Sequence, residues 1–241
     1  RNPEDYDDAL ERSFKRYEIP GFIARKHPMI NHPLVVLLDS LVRFLTAECS
    51  RKNSGWQRET IFRMLKTFLL PEWQEEEVDR LENYVLSHGI RPWQYHEPWE
   101  FRTYRDLDAP PPALSEKEQA ELTEVNAWRT RLTAMLDELA EKWSQSPKTK
   151  DRCRLLYQWM MDKKIPDTLS AMDEKEALRT NHRPHLQVWK KILSLLDEIV
   201  HTAGDDEISE KNFLSIFEDG LTALTYSTIP PTPRSYTHLT L

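Results

Sequence analysis

The segment IFRMLKTFLLPEWQEEEVDRLENYVLSHGI, residues 61–90, predicts two amphipathic helices and the break between them. Apolar residues recur at helical spacing from Ile61 to Leu69, so they line one face of a first helix. Pro71 is expected to stop this helix, because an interior proline loses a backbone hydrogen bond and clashes with the preceding turn. Gly89 is expected to end the second helix, since glycine readily adopts the left-handed conformation found beyond helix C-termini.

The faces of these two helices follow from the same spacing. Three glutamates, residues 75–77, open the second helix, where negative charge suits the N-terminal end of the helix dipole. The residues expected to face the core are Ile61, Phe62, Leu65, Phe68 and Leu69 in the first helix, and Val78, Leu81, Val85 and Leu86 in the second.

Helical spacing continues along most of the chain, which predicts a mainly α fold of many helices. Ser115 with Glu118 forms the capping-box pattern at the start of a long helix. One short strand is predicted at residues 22–24, an apolar run bounded by turn residues. Other predicted helices cover residues 5–17, 34–48, about 169–178, 186–203 and 209–224, and one more holds residues 153–160 and ends before Pro166.

Composition supports a helical protein and limits its function. Only 5 of the 241 residues are glycine, and 30% are charged. No apolar run approaches the roughly 20 residues needed to span a bilayer, and no signal peptide opens the chain, so we expect no membrane association and a cytoplasmic location. The net charge of −7 argues against a module that coats nucleic acid, although a local basic groove remains compatible with it.

Several short phrases of the sequence resemble one protein family, the AddB/RexB family, which comprises the B subunits of bacterial ATP-dependent helicase/nucleases. They occur in the same order over nearly the whole chain. The phrases are YEIP at 17–20, HPL at 32–34, FRMLKT at 62–67, LENYVL at 81–86, GIR at 89–91, QVW at 187–189, LLD at 195–197 and IPPT at 229–232.

The resemblance implies a division of the chain into three parts. Residues 1–48 would be part of the second RecA-like motor domain of a superfamily 1-type helicase, and residues 49–226 a helical arm inserted into it. Residues 227–241 would be the return linker and a non-native tail, since PRSYTHLTL after the IPPT phrase departs from the family pattern. The chain begins with Arg1, so we expect an internal fragment of a longer protein.

The resemblance also implies the activity of the parent protein. That protein would belong to an ATP-dependent helicase and exonuclease, a hydrolase that processes DNA double-strand breaks for homologous recombination. Its partners would be the A subunit of the heterodimer and, through the complex, double-stranded and single-stranded DNA. The family's cofactors are ATP with magnesium and a 4Fe-4S cluster. This segment has no glycine-rich phosphate loop and two cysteines instead of four, so we predict no catalytic, cofactor or metal residues in it.

Basic residues between and beside the helices are the candidate DNA contacts, because phosphates attract such groups and aromatics can stack on bases. The alternative is a solvated helix face on which glutamates offset the positive charge. A second basic cluster lies at residues 148–154, and tryptophans 128, 143, 159 and 189 are expected in the core. The candidate contacts are Arg51, Lys52, Arg58, Arg63, Lys66, Arg102 and Arg105.

A second hypothesis is a free-standing helical scaffold that binds proteins and has no role with nucleic acid. It predicts a stable fold with an exposed apolar groove. The arm hypothesis instead predicts that residues 1–48 expose apolar surface, because the sheet of their motor domain is missing. His182 and His185 are taken as polar loop residues, since the Arg-Pro between them keeps them off one helical face.

Overall fold

The computed structural model describes residues 6–19, 26–100, 114–180 and 184–227. This part of the chain is mainly helical, as predicted. The elements are α1 (Asp7–Arg16), β1 (Lys26–Pro28), α2 (Pro33–Ser50), α3 (Arg58–Leu65), α4 (Glu75–Ser87), a 3₁₀ turn (Pro92–His96), α5 (Glu116–Ser144), α6 (Thr149–Asp162), α7 (Ile165–Thr180), α8 (Pro184–Ala203), α9 (Glu210–Ala223) and β2 (Thr225–Ser227).

Helix α2 lies at the centre of the core and packs against α3, α5, α8 and α9. It begins where predicted, with Pro33 at its first position and the His32 ring accepting a hydrogen bond from the backbone N–H of Leu34. Leu37 and Leu41 are fully buried. The expectation that residues 1–48 would lack partners is therefore wrong for α2, because the helices that follow it in sequence cover its apolar side chains.

The break between α3 and α4 occurs earlier than Pro71. Helix α3 ends at Leu65, and the chain turns through Phe68, whose φ is 52°. In this left-handed conformation the side chain of Phe68 faces solvent and is 41% exposed. The next two residues, Leu69 and Leu70, are buried. Phe68 is therefore not a core residue, because the helix that would have placed it there has already ended.

Helix α4 differs from its predicted stripe at one position and ends where expected. Leu86 is 49% exposed, and Tyr84 is buried in the apolar face instead. Gly89 has a φ of 59°, which confirms its place beyond the helix C-terminus. The Ser115–Glu118 capping box at the start of α5 is also confirmed, since each side chain bonds to the backbone N–H of the other residue.

Strand β1 pairs antiparallel with β2, with Lys26 opposite Ser227 and Pro28 opposite Thr225. This is the sole sheet within the described ranges, and the strand predicted at residues 22–24 lies outside them. The pairing brings together the two places at which the chain enters and leaves the helical body formed by residues 29–224.

The tryptophans predicted for the core are confirmed there. Trp128, Trp143 and Trp159 are buried, and Trp189 is partly buried against the same cluster. Helix α7 is longer than expected, since it begins at Ile165 and places Pro166 in its first turn, where a missing N–H costs little.

Candidate nucleic-acid interface

The first two candidate DNA contacts, Arg51 and Lys52, lie in the turn between α2 and α3. The turn is held by Glu48, whose carboxylate accepts hydrogen bonds from the backbone N–H groups of Asn53 and Gly55. Asn53 adopts a φ of 65°, and asparagine tolerates this left-handed conformation better than most residues. These bonds fix the backbone from which Arg51 and Lys52 project.

A close approach of two backbone segments anchors the same turn. A Cβ atom on Gly55 would lie 2.6 Å from the carbonyl oxygen of Phe44, so only glycine fits there. Trp56 follows, fully buried, with its ring edge-on to Phe44 at 5.2 Å and tilted against Tyr95 at 5.0 Å. The turn is therefore a rigid attachment to the core.

Arg51 and Lys52 are both exposed, and neither has an ion-pair partner among the residues that the structure describes. Arg58, at the start of α3, forms a salt bridge with its neighbour Glu59. A hydrogen bond from Arg58 to Glu59 is the main reason why the pKa of Arg58 is raised above its ordinary value. Arg51 and Lys52 thus carry positive charge that forms no salt bridge with a described carboxylate.

Arg63 forms a salt bridge with a buried carboxylate. Its Nη1 lies 2.8 Å from Oδ2 of Asp39, whose other oxygen accepts from Arg43 at 3.0 Å. Asp39 is only 4% exposed although it lies on the most apolar helix, α2. The sequence analysis missed this role of Arg63, and the signal was the acidic residue within an otherwise apolar run, which requires a cation nearby.

Lys66 forms salt bridges with two acidic residues of α4. Its Nζ lies 2.5 Å from Glu82 and 3.3 Å from Asp79. Hydrogen bonding to Glu82 is the main cause that raises the pKa of Lys66. Arg63 therefore points towards α2 and Lys66 towards α4, so the structure does not bring these two together with Arg51 and Lys52. Arg102 and Arg105 lie outside the described residues.

One member of the second basic cluster, Arg152, has a structural role. Arg152 is 3% exposed, and its guanidinium donates to the carbonyls of Ser146 and Ile208 and to the carboxylate of Glu210. These bonds tie the start of α6 to the start of α9. Because its donors are used inside the protein, Arg152 presents no charge to a ligand.

An exposed aromatic residue, Trp93, lies beside the basic residue Arg91. Trp93 has 52% of its surface exposed, and the Arg91 guanidinium carbon lies 5.4 Å from its ring centroid. Two acidic residues, Glu97 and Glu100, follow within the exposed part of this loop. Their negative charge makes the loop a poorer phosphate site than the α2–α3 turn.

The acidic cluster at residues 75–77 is also structural. Glu77 accepts hydrogen bonds from the backbone N–H of Gln74, the indole of Trp128 and the guanidinium of Arg131. Burial alone would raise the pKa of Glu77, but these donors lower it below its ordinary value. Glu77 therefore remains charged and serves to join α4 to α5.

Two histidines meet across the fold. Nε2 of His32 lies 2.8 Å from Nδ1 of His185, and burial followed by the charge of His185 lowers the pKa of His32 to about 4. His185 lies in the first turn of α8, not in a loop as expected, and His182 lies outside the described residues. Within the part of the chain that the structure describes, no three His, Cys, Asp or Glu side chains meet to form a metal-binding group.

The helices of the described ranges are also unsuited to a bilayer. None of them combines the length and the apolar character that crossing a membrane requires.

Comparison with known proteins gives a consistent set of relatives. No protein-family model matches the chain. Over 96% of its length, the chain is 37% identical to part of the B subunit of the ATP-dependent helicase/deoxyribonuclease of Heliobacterium modesticaldum, of which it covers 19%. The proteins of the same name from Pelotomaculum thermopropionicum and Oceanobacillus iheyensis are 34% and 32% identical over 96% of the chain, which covers 20% of each.

The chain thus spans about a fifth of the length of the curated relatives it matches. The match is continuous over nearly the whole chain, which is what the ordered sequence phrases predicted. The resemblance is therefore confirmed: this chain is homologous to a segment of the B subunit of ATP-dependent helicase/deoxyribonucleases.

Proposed function

We propose that the helical body is a structural and DNA-guiding arm of the B subunit of an ATP-dependent helicase and exonuclease. In this proposal the arm is inserted into the second RecA-like motor domain. The complex, in which the A subunit is the partner, processes DNA double-strand breaks for homologous recombination. The homology supports the parent protein, and the geometry of the two strands supports the insertion.

The observation that carries the proposal is the pairing of Lys26 with Ser227. An inserted domain must return the chain close to the point at which it left the host, and domains with adjacent ends are the ones that tolerate insertion. The β1–β2 ladder holds the two ends of the helical body side by side. Because α2 shares the core of the later helices, it moves with the arm, and the motor-domain portion is what precedes β1.

Guidance of DNA is proposed for the α2–α3 turn. Arg51 and Lys52 are exposed and form no salt bridge with a described carboxylate, whereas Arg63 and Lys66 are held by carboxylates. Two phosphate contacts predict weak binding whose logarithm falls with the logarithm of salt with a slope of about −1.8. The overall negative charge of the chain favours transient contact over tight coating.

Charge reversal tests this contact. The isolated chain is titrated with fluorescent duplex DNA at low salt, as wild type, as the double variant Arg51→Glu/Lys52→Glu, and as the control Lys190→Glu/Lys191→Glu on the exposed surface of α8. We expect the first double variant to lose most of the binding and the control to lose little. Equal losses in both would contradict a local site, and tight binding in high salt would contradict weak guidance.

A chimera tests the arm itself. In this chimera the chain replaces the corresponding fifth of the B subunit from Heliobacterium modesticaldum, with the A subunit of that organism supplied. A second version joins β1 to β2 by a short turn and lacks the helical body. We expect the second version to retain DNA-stimulated ATP hydrolysis and to lose unwinding of long duplexes. Full unwinding without the body would refute the proposal.

A specific surface favours the alternative, a helical scaffold that binds proteins. A groove of about 280 Å³ lies between α5 and α6, lined by Met135, Leu139, Leu155 and Trp159 together with polar and charged side chains such as Glu138, Lys142 and Asp162. If this groove is the functional surface, Met135→Ser/Leu155→Ser in the chimera abolishes activity. The arm proposal expects little change in DNA unwinding.

A further inference from the structure

Trp93 presents an aromatic ring at the surface of the helical body. It lies in the 3₁₀ turn Pro92–His96 and is 52% exposed. The guanidinium carbon of Arg91 lies 5.4 Å from the ring centroid, over one face of the indole. Because Arg91 covers one face and the residue is still half exposed, the opposite face is the one that a planar ligand can reach.

The backbone of the turn that carries Trp93 is held by side chains. The side-chain oxygen of Gln94 accepts a hydrogen bond from the backbone N–H of Arg91 at 2.8 Å. The carbonyl of Tyr95 accepts one from the buried guanidinium of Arg129, also at 2.8 Å. An aromatic side chain on a fixed backbone loses little conformational freedom when a ligand stacks on it, so binding costs less entropy.

The Trp93 turn and the basic α2–α3 turn are attached to the same buried contact. The ring of Trp56, which anchors the basic turn, lies 5.0 Å from the ring of Tyr95, measured between centroids. Tyr95 follows Trp93 by two residues, and Trp56 follows Lys52 by four. Segments of two and four residues span at most about 7 Å and about 14 Å. Trp93 and Lys52 therefore lie in one neighbourhood of the fold, around the contact between Trp56 and Tyr95.

The two turns offer different chemistry to a ligand. Arg51 and Lys52 supply positive charge, which attracts phosphates. Beside Trp93 the exposed Glu97 repels phosphates, but a neutral base carries no net charge for it to repel. An aromatic ring stacks on any base, because every base has a π face. The pair of turns thus matches a nucleotide chain, with its phosphates at the basic turn and a base at Trp93.

Base pairing decides which form of DNA can reach Trp93. In a duplex both faces of each interior base are already stacked, and drawing one out costs about as much as a single new stack returns. An unpaired base turns outward at a lower cost. Stacking on Trp93 therefore selects single-stranded DNA over the interior of a duplex.

We propose that Trp93 stacks on an unpaired base of single-stranded DNA whose phosphates contact Arg51 and Lys52. This inference rests on the proposed function, because it takes the α2–α3 turn as the phosphate contact. The arm then distinguishes a separated strand from the duplex, since it binds the strand through a base as well as through its charge.

Fluorescence anisotropy with three labelled DNA probes tests the inference on the isolated chain. The probes are an oligothymidylate, a strand of the same length whose sugars carry no bases, and a long duplex whose ends are few. We expect the wild type to bind the oligothymidylate about 10-fold more tightly than the abasic strand, the contribution of one stacked base. Trp93→Ala removes this difference and leaves binding of the abasic strand and of the duplex unchanged.

Two further variants serve as controls. Trp93→Phe keeps an aromatic ring, so it retains part of the preference for the strand that has bases. Tyr157→Ala removes an aromatic residue that is 41% exposed on α6, and it leaves the preference unchanged. An equal loss of the preference in Trp93→Ala and Tyr157→Ala would overturn the inference, because no particular ring would then be responsible.

Two other results would also overturn it. One is equal affinity of the wild type for the oligothymidylate and the abasic strand, and the other is a preference that survives in Trp93→Ala. Failure of the proposed function has a different signature. In that case Arg51→Glu/Lys52→Glu binds every probe, the abasic strand included, as tightly as the wild type does.

Discussion

The rings of His32 and His185 form a hydrogen bond whose direction the surrounding contacts determine. Nδ1 of His32 accepts from the backbone N–H of Leu34, so this nitrogen carries no proton. The proton of neutral His32 is then on Nε2, which donates to Nδ1 of His185 at 2.8 Å. Asp173 accepts from the backbone N–H groups of His185 and Leu186, and so holds α8 against α7. One hydrogen-bonded histidine pair thus joins α2 to α8.

This pair predicts a loss of stability in mild acid. The pKa of His32 is about 4 in the folded protein and about 6.5 in the unfolded chain, so the unfolded chain binds the proton first. The contribution is fully present above pH 6.5 and is lost as the pH falls towards 4, by about 3 kcal/mol in total. Urea unfolding at pH 7.5 and pH 5 measures the part of this loss that occurs above pH 5, about two thirds of it.

The matched variant is His32→Asn, which keeps a side chain able to cap α2 and removes the titrating ring. We expect its unfolding free energy to fall less between pH 7.5 and pH 5 than that of the wild type. An identical fall in both proteins would mean that His32 is not the group responsible.

Replacement of the buried Asp39 is expected to lower the unfolding free energy substantially. Asp39→Ala leaves Arg43 and Arg63 without the carboxylate that both contact, and removes a buried group. We expect a loss of about 2 kcal/mol in unfolding free energy, moderated because both arginines are partly exposed. The control is Glu138→Ala, which breaks the exposed pair with Lys142 and should cost far less, because solvent screens exposed ion pairs. Equal costs would refute the importance of Asp39.

A side chain at position 55 is expected to displace the turn that carries Arg51 and Lys52. In Gly55→Ala the new methyl group would meet the carbonyl oxygen of Phe44 at 2.6 Å, so the turn or α2 must shift. We expect a loss of about 1–3 kcal/mol in chemical denaturation, together with weaker DNA binding. Gly89→Ala is the comparison, since it meets no atom within 4 Å and tests only its φ of 59°. A neutral Gly55→Ala would show that the contact is not tight.

The two cysteines are expected to react with a thiol reagent at different rates. Burial raises the pKa of Cys153 to about 12, and burial also raises that of Cys49, which is only partly buried. We expect a small maleimide to label Cys49 slowly at pH 8 and Cys153 only after unfolding, because the thiolate is the reactive form. Mass spectrometry of Cys49→Ser and Cys153→Ser identifies the site. Rapid labelling of the Cys49→Ser variant in its native state would contradict the burial of Cys153.

Sequence patterns predicted helix positions well and side-chain partners poorly. Val200 fits the apolar periodicity of α8, yet it is 36% exposed, whereas Leu195 is buried. The period of a helix predicts that one face is apolar, but neighbouring helices decide which part of that face they cover. The candidate DNA contacts show the same limit of sequence patterns. Arg51 is exposed and forms no described salt bridge, whereas Arg63 is paired with Asp39, and the sequence does not distinguish the two.

Local chemistry alone determined the helices and several of their ends. Ser115 with Glu118, Pro33 and Gly89 act through bonds and dihedral angles within a few residues, so the sequence is sufficient to predict them. Only the tertiary structure decided that Lys26 lies beside Ser227 and that Asp39 lies beside Arg63. These relationships join residues far apart in the chain, and their existence depends on how all the helices pack together, which no local pattern encodes.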